Sequence, residues 1–247
     1  MYPSINLGPF VLPTAPTVYL LGVWLALSAV ERAAKWLKQD AEWSYGVAAT
    51  AVFVGFIGAR LSFVYIYWAA FRENLLGIVW PLNTGYNIWG GIIFGIAAAF
   101  FYGRAKQLPL AQTLDVLIPG LIIGLMAVSI ADFLAGPGYG TLTNMPWGIS
   151  QYGVRRHPVQ LYETAVGVAA LFIWWRTSQL RLFNGQLFLI TLATYSAGRL
   201  FVEAYRDNAW VTANGYHIVQ IISLISLLAT LILLARFSLS ERPKPKH

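Results

Sequence analysis

His157-Pro158-Val159-Gln160-Leu161-Tyr162-Glu163 sets four polar side chains of different chemistry into seven residues, and an apolar run follows at once. Proline suits the first turn of a helix, where its missing N–H has no intrahelical partner to lose. The stretch therefore predicts a helix opening at Pro158, with His157, Gln160 and Glu163 recurring at i, i+3 and i+6 on one broad face. A second polar stripe, Tyr195, Arg199, Glu203 and Arg206, interrupts another apolar segment. At helical periodicity these four fall within about 80° of one another. Two such stripes predict a buried polar site built by two helices.

The surrounding composition says what kind of helices these are. Hydrophobic residues make up 57% of the 247 and charged residues 11%, with a mean hydropathy of +0.60. Soluble domains carry about 25% charged residues. Apolar segments from about Thr17 to Val30, Tyr45 to Ala70, Trp89 to Tyr102, Leu114 to Leu134, Pro158 to Trp175, Gln186 to Tyr205 and His217 to Leu234 approach or reach the roughly 20 residues of a bilayer span. The period-two alternation of a transmembrane barrel is absent. The expected fold is an all-α polytopic membrane protein with about seven transmembrane helices.

Charge then orients the chain. The segments around Glu31–Glu42, Arg104, Arg176 and the C-terminus hold eleven lysines and arginines, against Arg72, Arg155, Arg156 and Arg206 on the other side. The positive-inside rule places the N-terminus outside and the C-terminus in the cytoplasm. A single transmembrane domain over 1–235 is expected, with an irregular extracytoplasmic segment near 136–157 and a basic cytoplasmic tail at 236–247. Residues 1–15 read as an irregular lead-in, and no basic segment precedes the first span, which argues against a cleaved signal peptide. The net charge of +7 is accounted for by residues flanking spans, so no nucleic-acid partner is expected. There are no cysteines, and the three histidines are scattered, which leaves no pattern for a metal site. No internal repeat supports a secondary transporter.

Charges at membrane depth cost at least about 2.5–3.5 kcal/mol each on insertion scales, so they are default functional candidates. Arg199 lies one turn from Glu203. Either the two neutralise one another, or Glu203 orients Arg199 while Arg206 shares an anion with it, a planar fork suiting phosphate or carboxylate. Arg60, in Gly58-Ala59-Arg60, either joins that anion site or pairs with a carboxylate. Asp132 partners Arg60 or Arg199, or caps the glycine-rich loop Gly136-Pro137-Gly138-Tyr139-Gly140 that follows it. Asp115 reads as structural, and Tyr19 as a packed aromatic or a functional hydroxyl.

The two stripes together resemble the bacterial prolipoprotein diacylglyceryl transferase family. His157-Pro158-Val159-Gln160-Leu161-Tyr162-Glu163 is similar to the family's H-P-S/T-Q-L-Y-E. Arg199, Glu203 and Arg206 resemble its R-x-x-x-E-x-x-R, with Tyr195 matching a tyrosine upstream, Gly58-Ala59-Arg60 its G-G-R, and Tyr19 a tyrosine in its first span. The likeness runs from about Thr17 to Leu234, and the family's seven-helix, N-out topology agrees with the one read from charge. Two places depart. Trp89-Gly90-Gly91 stands where the family has H-G-G, whose histidine is a proposed catalytic group. Val128–Pro137 stands where it has a G-R-x-G-N-F-x-N-G-E signature, putting Ser129 at an arginine, a phosphate ligand, and Asp132 and Ala135 at asparagines.

The resemblance implies transfer of a diacylglyceryl group from phosphatidylglycerol to the lipobox cysteine of a preprolipoprotein, in the bacterial cytoplasmic (inner) membrane, with no metal or organic cofactor. It implies catalytic roles for Arg199, Glu203, Tyr195 and His157. Substrate contacts are implied from Arg206, Arg60, Tyr19, Gln160, Tyr162, Glu163 and Asp132. The partners are then phosphatidylglycerol, a preprolipoprotein signal peptide and membrane lipids. The alternative is a non-catalytic homologue that binds anionic phospholipid or lipoprotein precursors. Three readings of the thiol's deprotonation stand. His157 is the base, or His157 only caps its helix and anchors the loop, or the arginines depress the thiol's pKa enough to dispense with a base.

Overall fold

In lipid a backbone must satisfy its own hydrogen bonds, so the long apolar runs of this chain have the helix as their solution. The computed structural model describes residues 4–8, 10–73, 75–79 and 85–240. Its elements in chain order are strands β1 (Ser4–Leu7) and β2 (Phe10–Pro13), then helices α1 (Thr14–Trp36), α2 (Ala41–Ile66), α3 (Trp68–Phe71), α4 (Leu76–Val79), α5 (Ile88–Ala105) and α6 (Leu110–Ala135). Strands β3 (Ile149–Gln151) and β4 (Val154–Arg156) follow, then α7 (Val159–Thr177), α8 (Gln186–Val202), a 3-10 turn (Glu203–Tyr205) and α9 (Ile218–Ser240). The fold is all-α, as expected. Among the described residues six helices, α1, α2, α5, α6, α8 and α9, are long and apolar enough to cross a membrane. The expected fifth span, α7, is a 19-residue helix that falls outside this set, since Gln160, Tyr162, Glu163 and Arg176 lie within it.

The chain divides into two compact units, residues 30–113 and residues 1–29 with 114–247. In the first, Asp40 caps α2 by accepting from the Trp43 amide at 2.9 Å. Helices α2 and α5 pack through small residues. A Cβ on Gly55 would lie 3.0 Å from the Gly91 carbonyl and 3.4 Å from the Gly95 Cα, so backbone meets backbone there. The expected second span to Ala70 is shorter, since α2 stops at Ile66 and the chain re-forms as α3. The segment between α3 and α5 falls partly outside the described residues, as does the basic tail beyond Ser240.

In the second unit the expected irregular lead-in is instead a hairpin, with Leu7 opposite Phe10 and Ser4 opposite Pro13. Gly8, at φ +61°, makes the turn. The 136–157 segment also holds a hairpin, β3 on β4, closed by Tyr152 and Gly153 at φ 54° and 78°. Positive φ at both turn residues matches the twist of the flanking strands. Helix α8 packs against both α7 and α9. Pro119 inside α6 has no N–H to give to the carbonyl of Asp115. That carbonyl accepts from Trp174 Nε1 at 3.0 Å instead. The Asp115 carboxylate accepts from the amides of Gly185 (2.7 Å) and Phe188 (2.8 Å) at the start of α8. This is the structural role expected of it.

Candidate functional site

Arg199 lies in the last turn of α8, and the chain then tightens into the 3-10 turn that Glu203 opens. The amide of Arg206 closes that turn on the Glu203 carbonyl at 3.2 Å. Despite the tightening, both guanidinium groups reach the same carboxylates. Arg199 Nη2 donates to Glu203 Oε2 at 3.0 Å, and Arg206 Nε lies 3.4 Å from the same oxygen. Arg199 Nη1 and Arg206 Nη2 both donate to Glu163 Oε1, from α7. The other Glu163 oxygen accepts from Ser129 Oγ of α6 at 2.7 Å. Glu163 thus stands between the two arginines, in the place an anion shared by them would take. Arg199 is paired with Glu203, and it shares the Glu163 carboxylate with Arg206.

These side chains line one face of a cavity of about 420 Å³ formed by α6, α7, α8 and α9. Ser129, Asp132, Glu163, Tyr195, Arg199 and Arg206 make its polar face. The rest of the wall is mostly aliphatic, and two of its residues, Val128 and Ile222, are 45% and 52% exposed on the outer surface of the helices. A polar floor with an apolar, outward-reaching wall is the shape of a site for an amphiphile. Glu203 is completely buried behind the arginines and does not line the cavity.

The heptapeptide divides into two parts. Helix α7 starts at Val159 with Pro158 in the capping position, so His157 lies before the helix rather than on its face. The expected three-residue stripe is reduced to Gln160 and Glu163. Gln160, fully buried, donates to the Gly138 carbonyl and faces the Pro137 carbonyl at 3.5 Å, which ties the glycine-rich loop to α7. His157 Nδ1 meets Tyr162 Oη at 3.1 Å, Trp147 Nε1 donates to the same hydroxyl at 2.8 Å, and the His157 ring packs on Tyr205 at 4.9 Å. His157 and Tyr162 do not line the cavity. The loop is also sewn to the end of α8: Thr141 N donates to Tyr205 O (2.8 Å) and Arg156 bridges Gly140 O and Asp207.

Arg60 belongs to the other unit and meets no carboxylate among the described residues. Its guanidinium donates to the carbonyls of Ile78 (3.0 Å), Gly85 (3.1 Å) and Gly77, and lies over the rings of Phe71 and Tyr86. Five N–H donors on one planar group allow it to hold three backbone carbonyls at once. Tyr19 is 40% exposed on α1 and does not line the cavity. Asp132 lines the cavity and forms no ion pair with Arg199 or any other described residue. The central position of Glu163 was not foreseen, since it depends on how α7 and α8 turn towards each other. Gly138, in the glycine-rich loop, also shapes the site. It has φ +77°, and a Cβ there would sit 2.9 Å from Arg206 Nη1, so a glycine in the loop admits the guanidinium.

A family model described as prolipoprotein diacylglyceryl transferase matches residues 4–236 of the chain. Relatives include the phosphatidylglycerol–prolipoprotein diacylglyceryl transferase of Clostridioides difficile, 30% identical over 91% of this chain and 88% of the relative. That of Finegoldia magna is 28% identical over 88% of each. That of Trichormus variabilis is 32% identical over 76% of this chain and 72% of its own.

Proposed function

This chain belongs to the prolipoprotein diacylglyceryl transferase family, and from that premise we propose that it transfers a diacylglyceryl group from phosphatidylglycerol to the lipobox cysteine of a prolipoprotein. The observation that carries the reading is the pair Arg199 and Arg206 at the floor of a cavity with an aliphatic wall. The acyl chains of the lipid lie along that wall, and the phosphate meets the guanidinium N–H groups not taken by Glu163 and Glu203. The departing glycerol phosphate gains negative charge as its ester bond breaks, and fixed donors in a site with little water stabilise that charge most. Tyr195 and Glu203 position the arginines, and the signal peptide of the acceptor brings its own thiol. The expected result is transfer by the purified protein from acyl-labelled phosphatidylglycerol to a lipobox peptide. Lipid binding with no transfer at any pH would leave a non-catalytic lipid-binding homologue in its place.

The location follows from the same reading. The protein is a single transmembrane domain of the bacterial cytoplasmic membrane, with α7 as a seventh span, the 136–157 segment outside and the basic tail inside. The support is the bias of lysine and arginine towards one set of loops. The chain has no cysteine, so single introduced thiols report without background. In intact cells Asn144→Cys is expected to react with an impermeant maleimide and Ser240→Cys to stay unlabelled until the membrane is opened. Labelling of both from outside would mean that α7 does not cross.

A further inference from the structure

A thiol with an ordinary pKa of about 8.5 is mostly protonated at neutral pH, so its attack on phosphatidylglycerol needs a group to take the proton. We propose that Asp132 is that general base. The inference rests on the transferase reading above and adds a catalytic residue to it.

Three carboxylates belong to the site, and only one of them both lines the cavity and has two oxygens without partners among the described residues. Glu163 has both oxygens engaged, one by Arg199 and Arg206 and the other by Ser129. Glu203 is completely buried, bonded to the same arginines, and outside the cavity lining. Asp132 lines the cavity, and its carboxylate accepts no hydrogen bond and forms no ion pair among the described residues. A partly buried carboxylate without partners is costly. The same lack of partners leaves its oxygens open to a substrate proton. An imidazole is the more usual base near neutrality, but His157 Nδ1 meets the Tyr162 hydroxyl, its ring packs on Tyr205, and it lies outside the lining.

The position of Asp132 suits the reaction as well as its freedom does. A Cβ built on Gly138 would lie 2.9 Å from Arg206 Nη1 and 3.7 Å from Asp132 Oδ2. The base and a phosphate-binding arginine therefore bracket one point in the site. The charged groups that share the cavity lining with Asp132 are Glu163, Arg199 and Arg206. Arg199 and Arg206 are balanced by Glu163 and Glu203, so Asp132 is the one uncompensated charge of this cluster.

The step balances as follows. The S–H bond breaks and the proton moves to an Asp132 oxygen. The sulfur pair forms a C–S bond to the terminal glyceryl carbon of the diacylglyceryl group. The C–O bond to phosphate breaks, and its electrons stay on the phosphate oxygen. Proton uptake removes a negative charge beside Arg206 as the leaving phosphate acquires one, so the net charge of the cavity is constant through the step. The proton then leaves Asp132 for the glycerol phosphate or for water.

The experiment compares two lipobox peptides, one with cysteine and one with selenocysteine, whose selenol is ionised at neutral pH without help. With the cysteine peptide at pH 7, Asp132→Asn is expected to transfer about 10²–10⁴-fold more slowly than the parent, with phosphatidylglycerol binding retained. With the selenocysteine peptide the deficit should largely disappear. Asp132→Ser carries the same comparison if the Asn variant does not fold. An equal deficit on both peptides would make Asp132 structural and overturn the assignment, as would Asp132→Asn working at the parent's rate on cysteine. A parent protein that transfers to neither peptide would instead bring down the transferase reading, and this inference with it.

Discussion

Glu163→Ala is expected to lower stability by about 3–5 kcal/mol, the range for removing one partner from a buried ion pair, and to abolish transfer. The Glu163 side chain is 8% exposed, and those of Arg199 and Arg206 are 15% and 14%. Its loss leaves two guanidinium N–H groups without their acceptor, returns the Ser129 hydroxyl to the Leu125 carbonyl alone, and leaves Glu203 alone against two positive charges. Glu163→Gln keeps an acceptor oxygen and the volume, so its loss of stability should be smaller. The diagnostic is a double-mutant cycle. Adding Arg206→Ala to Glu163→Ala restores one arginine against one carboxylate, and the double variant should be more stable than the sum of the single changes by at least about 1 kcal/mol. Chemical unfolding in micelles, followed by tryptophan fluorescence, measures it. Strict additivity would mean that the three groups do not act as one cluster.

The parts of this site that were legible in the chain are those set by spacing within one helix. Arg199 and Glu203 are one turn apart, and a charge inside an apolar run has few places to go, so their pairing could be read directly. The contribution of Glu163 could not, because it depends on which face α7 turns to α8. His157 illustrates a boundary effect. With α7 starting at Val159 rather than Pro158, His157 stands two residues before the helix, and its imidazole lies against Tyr162 and Tyr205 rather than on the face of Glu163. Arg60 shows a different limit. Cost at membrane depth required partners, but backbone carbonyls satisfy a guanidinium as well as a carboxylate does, and carbonyls carry no sequence signal.

The same competition between demands hides the seventh helix. A span is recognised by being apolar, and the segment that supplies a polar site cannot be wholly so. Gln160 and Glu163 are satisfied by the loop carbonyls and by the arginines, so α7 tolerates their polarity inside the fold and is less apolar than the six helices long and apolar enough to cross a membrane. Ser129 is a milder case. Standing where the resembled signature has an arginine, it brings no positive charge, but it still donates to Glu163. The cluster therefore rests on two guanidinium groups, and each must serve more than one acceptor.

That double service is why Arg199→Lys is expected to reduce transfer by about 10²–10³-fold, the usual cost of losing one preorganised oxyanion donor. Arg199 uses Nη1 for Glu163 and Nη2 for Glu203, and a planar fork holds both at fixed angles with a further N–H left for a phosphate. A lysine ammonium keeps the charge but is a point donor on a flexible stem. It can neutralise the carboxylates, so the variant should fold, but it cannot hold both of them and a phosphate in one plane. Arg199→Ala should lose folded yield as well, since it strips a charge from a buried pair. The comparison is made on protein of matched folded fraction, with transfer from labelled phosphatidylglycerol to a lipobox peptide as the readout and lipid binding measured in parallel. If Arg199→Lys transferred within about threefold of the parent, a difference of less than 1 kcal/mol in barrier, positive charge alone would suffice. The bidentate geometry of Arg199 would then have no part in stabilising the leaving phosphate.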